Sequence, residues 1–365
     1  MSTKLNFKNL NLLIILILPL FFLIFAFREQ NQLHEKFVIQ GIGVDFEDDI
    51  YKLTVQAYDF KNPEKKDEPK IRIVESKGET ISEALEKLKK LTGLESLYSQ
   101  NRIIVFGKDL AQSERGLNVL DFFIRHYENR PSVRLRLAIK TAEEILKTKV
   151  NNKPIRASEV ADLVDRKSDI ILLEFQKNLF SNTSDPILPV LEKNENDVII
   201  CESISIFKSG KFVKILDKNE TNIVKILTNK PAVGTYNFEL EGKKTSCKFD
   251  NAKTKIKVEL YDEPIFKINT KISINLLETY ATDDLKEIST KIESKLKKTL
   301  EKDYDNTIRN VLKEKCDIFN FGKILERDKS NYFKKIKKNW KEMLPSLKYD
   351  ICIEPSVSVL GMKSI

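Results

Sequence analysis

The chain has 365 residues, 41 % of them hydrophobic and 32 % charged, which suits a folded protein with two or three cores and excludes a disordered one. The net charge of +9 comes from 63 Lys and Arg mixed with 54 Asp and Glu, and no DNA- or RNA-reading motif accompanies it, so nucleic acid is not an expected partner. Four cysteines, Cys201, Cys247, Cys316 and Cys352, lack CxxC spacing; this argues against a zinc site and favours buried free thiols, although an even number permits disulfides whose pairing stays open.

From Leu10 to Phe27 runs an uncharged, almost wholly apolar stretch of 18 residues, preceded by Lys4 and Lys8. Such a run can cross a bilayer as a helix, and the lysines favour keeping its start in the cytoplasm. The expectation is an uncleaved anchor carried by Leu10, Leu13, Ile17, Phe21, Ile24 and Phe27, with the main body outside the cytoplasm. Signal cleavage after Ala26 would place the bulky Ile24 where a small residue is wanted.

Strands are expected over 37–45 and 50–58, joined by an acidic turn at 47–49. In the second, Tyr51, Leu53, Val55 and Ala57 alternate with Lys52, Thr54, Gln56 and Tyr58, which predicts one buried and one polar face. A strand from Ile71 precedes a helix capped by Thr80 and Glu83, with Ile81, Ala84, Leu85, Leu88 and Leu91 on one stripe and Gly93 as its stop. A buried strand at 102–107, a helix at 116–128 ended by Pro131, an alternating strand at 133–140 and a capped helix from Thr141 follow. The first two strands are joined too tightly for a parallel crossover, so a mixed-sheet α/β or α+β fold is expected.

The segment 178–189, rich in turn formers and carrying two prolines, reads as a linker. Beyond it a hairpin about Ser209 and Gly210 and further short strands suggest a β-rich unit. Leu285, Ile288, Ile292, Leu296, Leu300, Tyr304, Ile308 and Val311 then mark one amphipathic helix over 283–315, ~50 Å long at 1.5 Å per residue. Its polar face predicts a helix lying across a sheet. A second amphipathic helix at 331–344 places Phe333, Ile336, Trp340 and Leu344 in the core with lysines in solvent, or against anionic lipid. A strand at 349–359 follows.

Catalytic chemistry is sparse. His34 and His126 are the only histidines, and the P-loop, GxSxG, HExxH and calcium-loop patterns are missing. Gly41 and Gly43 lack the third glycine and the helix start of a dinucleotide site. No enzyme activity, metal or cofactor is expected.

Several short segments in one order resemble the C subunit of spore germinant receptors, the Ger(x)C family. They are "GIGVD" with "YKLTVQ", "KGETISEALEKL", "LYSQNRIIVFGKDLA", "VLDFFIRHYENRPSVRLRLAI", "TAEEIL", "SISIFKSGKFVKIL" and "DIFNFGKILER" followed by Trp340. The motif positions are Gly43, Asp45, Gln56, Gln100, Asn101, Arg102, Gly107, Asp317, Phe319, Phe321, Gly322 and Trp340. Read as residues, Gln100 to Arg102 form a turn that satisfies backbone groups or contacts a partner, Gly107 and Gly322 serve backbone conformation, and the two phenylalanines anchor a packed corner.

The resemblance implies an extracytoplasmic, three-domain mixed α/β architecture at the spore inner membrane. It also implies A-type and B-type multi-spanning partner subunits and a complex that responds to small-molecule nutrients. Family members usually carry a lipidated cysteine where this chain has Phe27, so the apolar helix, in contact with membrane lipid, is the expected tether. The expected division is an anchor at 1–28, a mixed α/β domain at 29–198, a small β-rich domain at 199–262 and an α/β domain with the long helix at 263–365. Two other functions compete with a receptor subunit: a stand-alone small-molecule binding protein and a cell-envelope enzyme.

Overall fold

Asp48 and Asp49 both adopt positive φ, 50° and 61°, the backbone that matches the twist of a two-residue hairpin. They close β1 (Lys36–Glu47) onto β2 (Ile50–Asp59). The computed structural model describes residues 17–19, 36–60, 70–125, 130–232, 235–240, 242–279 and 285–359. Of the expected anchor, Leu10, Leu13, Phe21, Ile24 and Phe27 lie outside the described residues, and Ile17 stands in a short helical stretch. Among the described residues no helix is long and apolar enough to cross a membrane.

The large sheet also contains β3 (Lys70–Gly78), β4 (Glu95–Leu97), β5 (Ile103–Phe106), β6 (Arg134–Ala138), β9 (Ile187–Lys193), β10 (Ile199–Lys208) and β11 (Lys211–Leu216); β7 (Lys149–Val150) and β8 (Lys153–Pro154) form a separate small hairpin. Its order is β11-β10-β9-β6-β5-β1-β2-β3, with β4 beside β1. The central strands β1, β5, β6 and β9 are parallel, and antiparallel strands flank them on both sides.

Helices cover both faces. On one lie α1 (Ile81–Thr92), α2 (Lys108–Gln112), α3 (Leu120–Arg125) and α6 (Leu172–Leu179); on the other lie α4 (Ala142–Leu146) and α5 (Ala157–Asp162). The caps of α1 are the residues the sequence marks: Thr80 accepts from the Glu83 N–H, and Gly93 takes the left-handed conformation. Ile81, Ala84, Leu85 and Leu88 are buried, but Leu91 in the last turn is 61 % exposed. The predicted helix at 116–128 is a 3-10 turn at Gly116–Val119 followed by α3, and residues 126–129 are not described.

Two alternating strands prove buried on both sides. In β2 the supposedly polar Thr54 and Gln56 are buried, and in β6 Arg136 is fully buried. Strands sandwiched between helix layers have no solvent face to alternate with.

The second sheet comprises β12 (Thr235–Leu240), β13 (Lys243–Leu260), β14 (Pro264–Thr279) and β15 (Lys348–Val359), the last pair parallel. Across it lies α8 (Leu285–Lys313), 29 residues and about 44 Å long at 1.5 Å per residue. Its Ile292, Leu296, Leu300, Tyr304, Ile308 and Val311 are buried against Phe249, Phe266, Ile268 and Ile274. Each fully buried apolar side chain of this kind contributes roughly 1.5–3 kcal/mol. The 331–344 segment is broken into α10 (Ser330–Ile336), a 3-10 turn and α11 (Trp340–Met343), after α9 (Phe321–Asp328). Phe333, Trp340 and Leu344 are buried in the core, which occupies the face that lipid contact would have needed.

Two boundaries differ from the sequence expectation. β10 and β11, placed in a separate β-rich unit beginning at 199, are strands of the large sheet. Ile204, Ile206 and Leu216 on their far face, with α7 (Lys218–Leu227), share one core with the second sheet. The predicted linker at 178–189 is also not a free connection: Thr183, Ser184 and Asp185 are buried and β9 begins at Ile187. Asp185 bonds to the Asp317 backbone, while Ser181, Thr183 and Ser184 bond within the segment itself.

Candidate functional site

Most of the motif residues gather into two knots. In the first, the Asp45 side chain at the end of β1 reaches the start of α4, accepting the N–H of Ala142 (2.7 Å) and of Glu143 (2.9 Å). A carboxylate on free N–H groups at a helix start satisfies orphan donors. Burial pushes the Asp45 carboxyl above its ordinary range, and these two N–H groups oppose the shift. Gly107 has φ −70°, which any residue adopts, so conformation does not require glycine there. Clearance does, because a Cβ would overlap the Asp45 carboxylate oxygen. Gly43 is under similar pressure, with Ala142 Cβ 3.0 Å from where its Cβ would stand.

Gln56 works as a backbone substitute. Its Nε2 donates to Ile155 O at 2.9 Å and its Oε1 accepts the Ala157 N–H at 2.6 Å, tying β2 to the start of α5. Gln56→Leu is expected to lose about 2 kcal/mol, since it orphans the buried Ala157 N–H, measured as a lower urea midpoint with unchanged slope. In the Gln100 to Arg102 motif, Gln100 ends a 3-10 turn, buried Asn101 accepts the Ile103 N–H at 3.3 Å, and Arg102 is exposed.

The second knot joins the two sheets. Asp317, fully buried, accepts the N–H of Phe321 at 3.0 Å and of Gly322 at 2.6 Å, which caps α9. Its own N–H donates to Asp185 Oδ2 (2.6 Å), the Asp185 N–H donates to Asp317 O (2.8 Å), and Lys341 pairs with Asp185. Burial raises the Asp317 carboxyl to about 6. Phe321 packs on Phe319 at 5.4 Å and on Phe266 at 4.9 Å between ring centroids. Gly322 again provides clearance: a Cβ would lie 2.6 Å from Trp340 Nε1 and 3.0 Å from Thr183 Cα.

A third cluster escaped the sequence reading. Asp169 receives Arg136 Nη1 at 2.6 Å and Arg134 Nε at 2.7 Å, and Arg134 reaches Asp162 at 2.6 Å. Alternating arginines looked like a solvent face; the buried acid that answers them lies more than thirty residues downstream, where no local pattern marks it.

These knots hold the fold together and offer little for catalysis. Burial raises the thiols of Cys201 and Cys247 to about 11 and of Cys316 to about 12, which keeps them protonated and weakly nucleophilic. Among the described residues no group of three or more His, Cys, Asp or Glu could hold a metal ion.

Residues 29–193 match the model of the spore germination protein N-terminal domain, and residues 202–361 match that of the spore germination B3/GerAC-like C-terminal domain. Spore germination protein KC of Bacillus subtilis (strain 168) is 24 % identical, with 92 % of each chain covered. Spore germination protein GerQC of Bacillus cereus is 24 % identical over 81 % of this chain and 84 % of that protein. The crystal structure of the GerBC protein shares the fold, with TM-score 0.59 at 22 % identity over 87 % of this chain and 97 % of that one. With both domain models matched in order across nearly its whole length, the chain belongs to the Ger(x)C family of spore germination proteins, those with GerAC-like N- and C-terminal domains.

Proposed function

We propose that this protein is a non-enzymatic subunit of a membrane germinant receptor complex and contributes to nutrient-triggered spore germination. The observation that carries this reading is the ordered match of both family domains over residues 29–193 and 202–361. Burial of the motif carboxylates Asp45 and Asp317 on backbone N–H groups supports it, because these acids are committed to architecture and not to proton transfer. A-type and B-type multi-spanning subunits are the proposed partners. The apolar segment from Leu10 to Phe27 is the proposed tether in the spore inner membrane, with the two-sheet body on the far side.

Affinity capture of the tagged full chain from spore membranes is expected to bring down multi-spanning subunits. Spores lacking the protein are expected to lose the response to at least one nutrient. Normal germination with every nutrient tested, together with no co-purifying multi-spanning protein, would refute the proposal.

A further inference from the structure

A cleft of about 310 Å³ opens between the loop after α5, the first residues of β10 and one face of α7. Its volume lies at the small end of ligand sites, which run roughly 300–1,000 Å³. Leu163, Val164 and Ile199 give it an apolar wall. Lys218, Asn222 and Lys225, at helical steps of four and three, turn one face of α7 towards it.

Asp165 and Glu202 match Lys218 and Lys225 in number inside this cleft, but only one ion pair forms. Lys218 is paired with Glu202 at 2.6 Å, and the exposed Asp165 holds the Lys167 N–H at 2.8 Å. Lys225 is half-buried and its ammonium has no hydrogen-bond or ion-pair partner among the described residues. Burial lowers its pKa against the pull of the Glu202 and Asp165 carboxylates. Holding an unpaired ammonium out of water is unfavourable, and perturbed groups of this kind in clefts concentrate at functional sites. The β10 wall carries a second irregularity: its register against β9 shifts between Ile200 and Ser203, so that Cys201 and Glu202 together face a single residue of β9. Bulges of this kind re-aim side chains and are frequent beside binding sites.

We infer that this cleft binds a small carboxylate with a short apolar chain: the carboxylate on the Lys225 ammonium and the Asn222 amide, the chain against Leu163, Val164 and Ile199. The site is separate from both motif knots. It is independent of the receptor reading, since binding to the purified protein can be measured without any partner subunit.

The full chain in lipid nanodiscs, titrated with 3-methylbutanoate, is expected to show a saturable rise in melting temperature. The neutral isostere 3-methylbutanamide and the cation 3-methylbutan-1-amine are expected to bind at least ~10-fold more weakly, as loss of one charge-assisted hydrogen bond implies. Lys225→Met is expected to melt higher than wild type without ligand, because it removes an unpaired, half-buried charge, and to lose the carboxylate response. Lys225→Gln tests the same loss with polarity retained, and Lys253→Gln, an exposed lysine on β13, is expected to respond as wild type. No saturable response in the wild type, an equal response to the amine, or a full response in both Lys225 variants would overturn the assignment.

Discussion

Asp317→Ala is expected to destabilise the protein by about 2–5 kcal/mol, because it orphans two buried N–H groups at the start of α9. Urea unfolding of wild type and variant measures the loss. The same side chain gives a pH signature with a defined sign. Its folded pKa is about 6 against an ordinary 3.8. The stability it contributes is therefore fully present below the lower value and is lost as pH rises through the higher one. Asp317→Asn keeps the shape without titrating, so the stability gap between wild type and this variant is expected to widen from about pH 7.5 to about pH 5. A constant gap would show that the carboxyl does not titrate in that window, and a narrowing one that its folded pKa lies below the ordinary value. Measuring a difference between two proteins removes the contribution of every other acid that behaves alike in both.

Trp340→Ala is expected to lose about 3–5 kcal/mol, the usual range for emptying a large aromatic site in a core that only partly collapses. Trp340 is fully buried and meets Phe333 edge-on at 6.0 Å between ring centroids. Its ring also occupies the space over Gly322, which yields a sharper test. Gly322→Ala alone sets a Cβ 2.6 Å from the indole nitrogen, so a penalty is expected despite the better helix propensity of alanine. With Trp340 already replaced by alanine, much of that penalty should vanish, leaving the remainder from Thr183 at 3.0 Å. A double-mutant cycle is expected to return a coupling of about 1 kcal/mol or more, the mark of residues in direct contact. Strict additivity would mean that Gly322 answers to Thr183 alone and not to the indole.

The second knot also explains why 178–189 misled the sequence reading. Ser, Asn, Thr, Asp and Pro favour turns because their side chains and fixed φ values serve irregular backbone. That property suits a buried crossing as well as an exposed linker, and the partner that decides between them, Asp317, is 132 residues away. The same limit governed the site. Gly107 and Gly322 were legible as special positions, but with ordinary backbone at Gly107 the reason is the Asp45 carboxylate, which no local pattern places beside it.

Short-range chemistry was written plainly in the chain. The caps at Thr80, Thr141 and Gly93 and the positive-φ pair Ser209–Gly210 involve groups within a few residues of each other. The long apolar stripe from Ile292 to Val311 likewise follows from helical period alone. Tertiary structure decided what covers each face. Periodicity identifies an apolar side but is silent about a second layer, so the burial of Gln56 and Arg136 depended on helices α4 and α5 and on Asp169 arriving from distant sequence. For the same reason only the fold could unite β10 and β11 with the large sheet while their other face shares a core with the second sheet. Apolar surface is buried wherever a complementary layer meets it, and which layer does so is set by the whole chain at once.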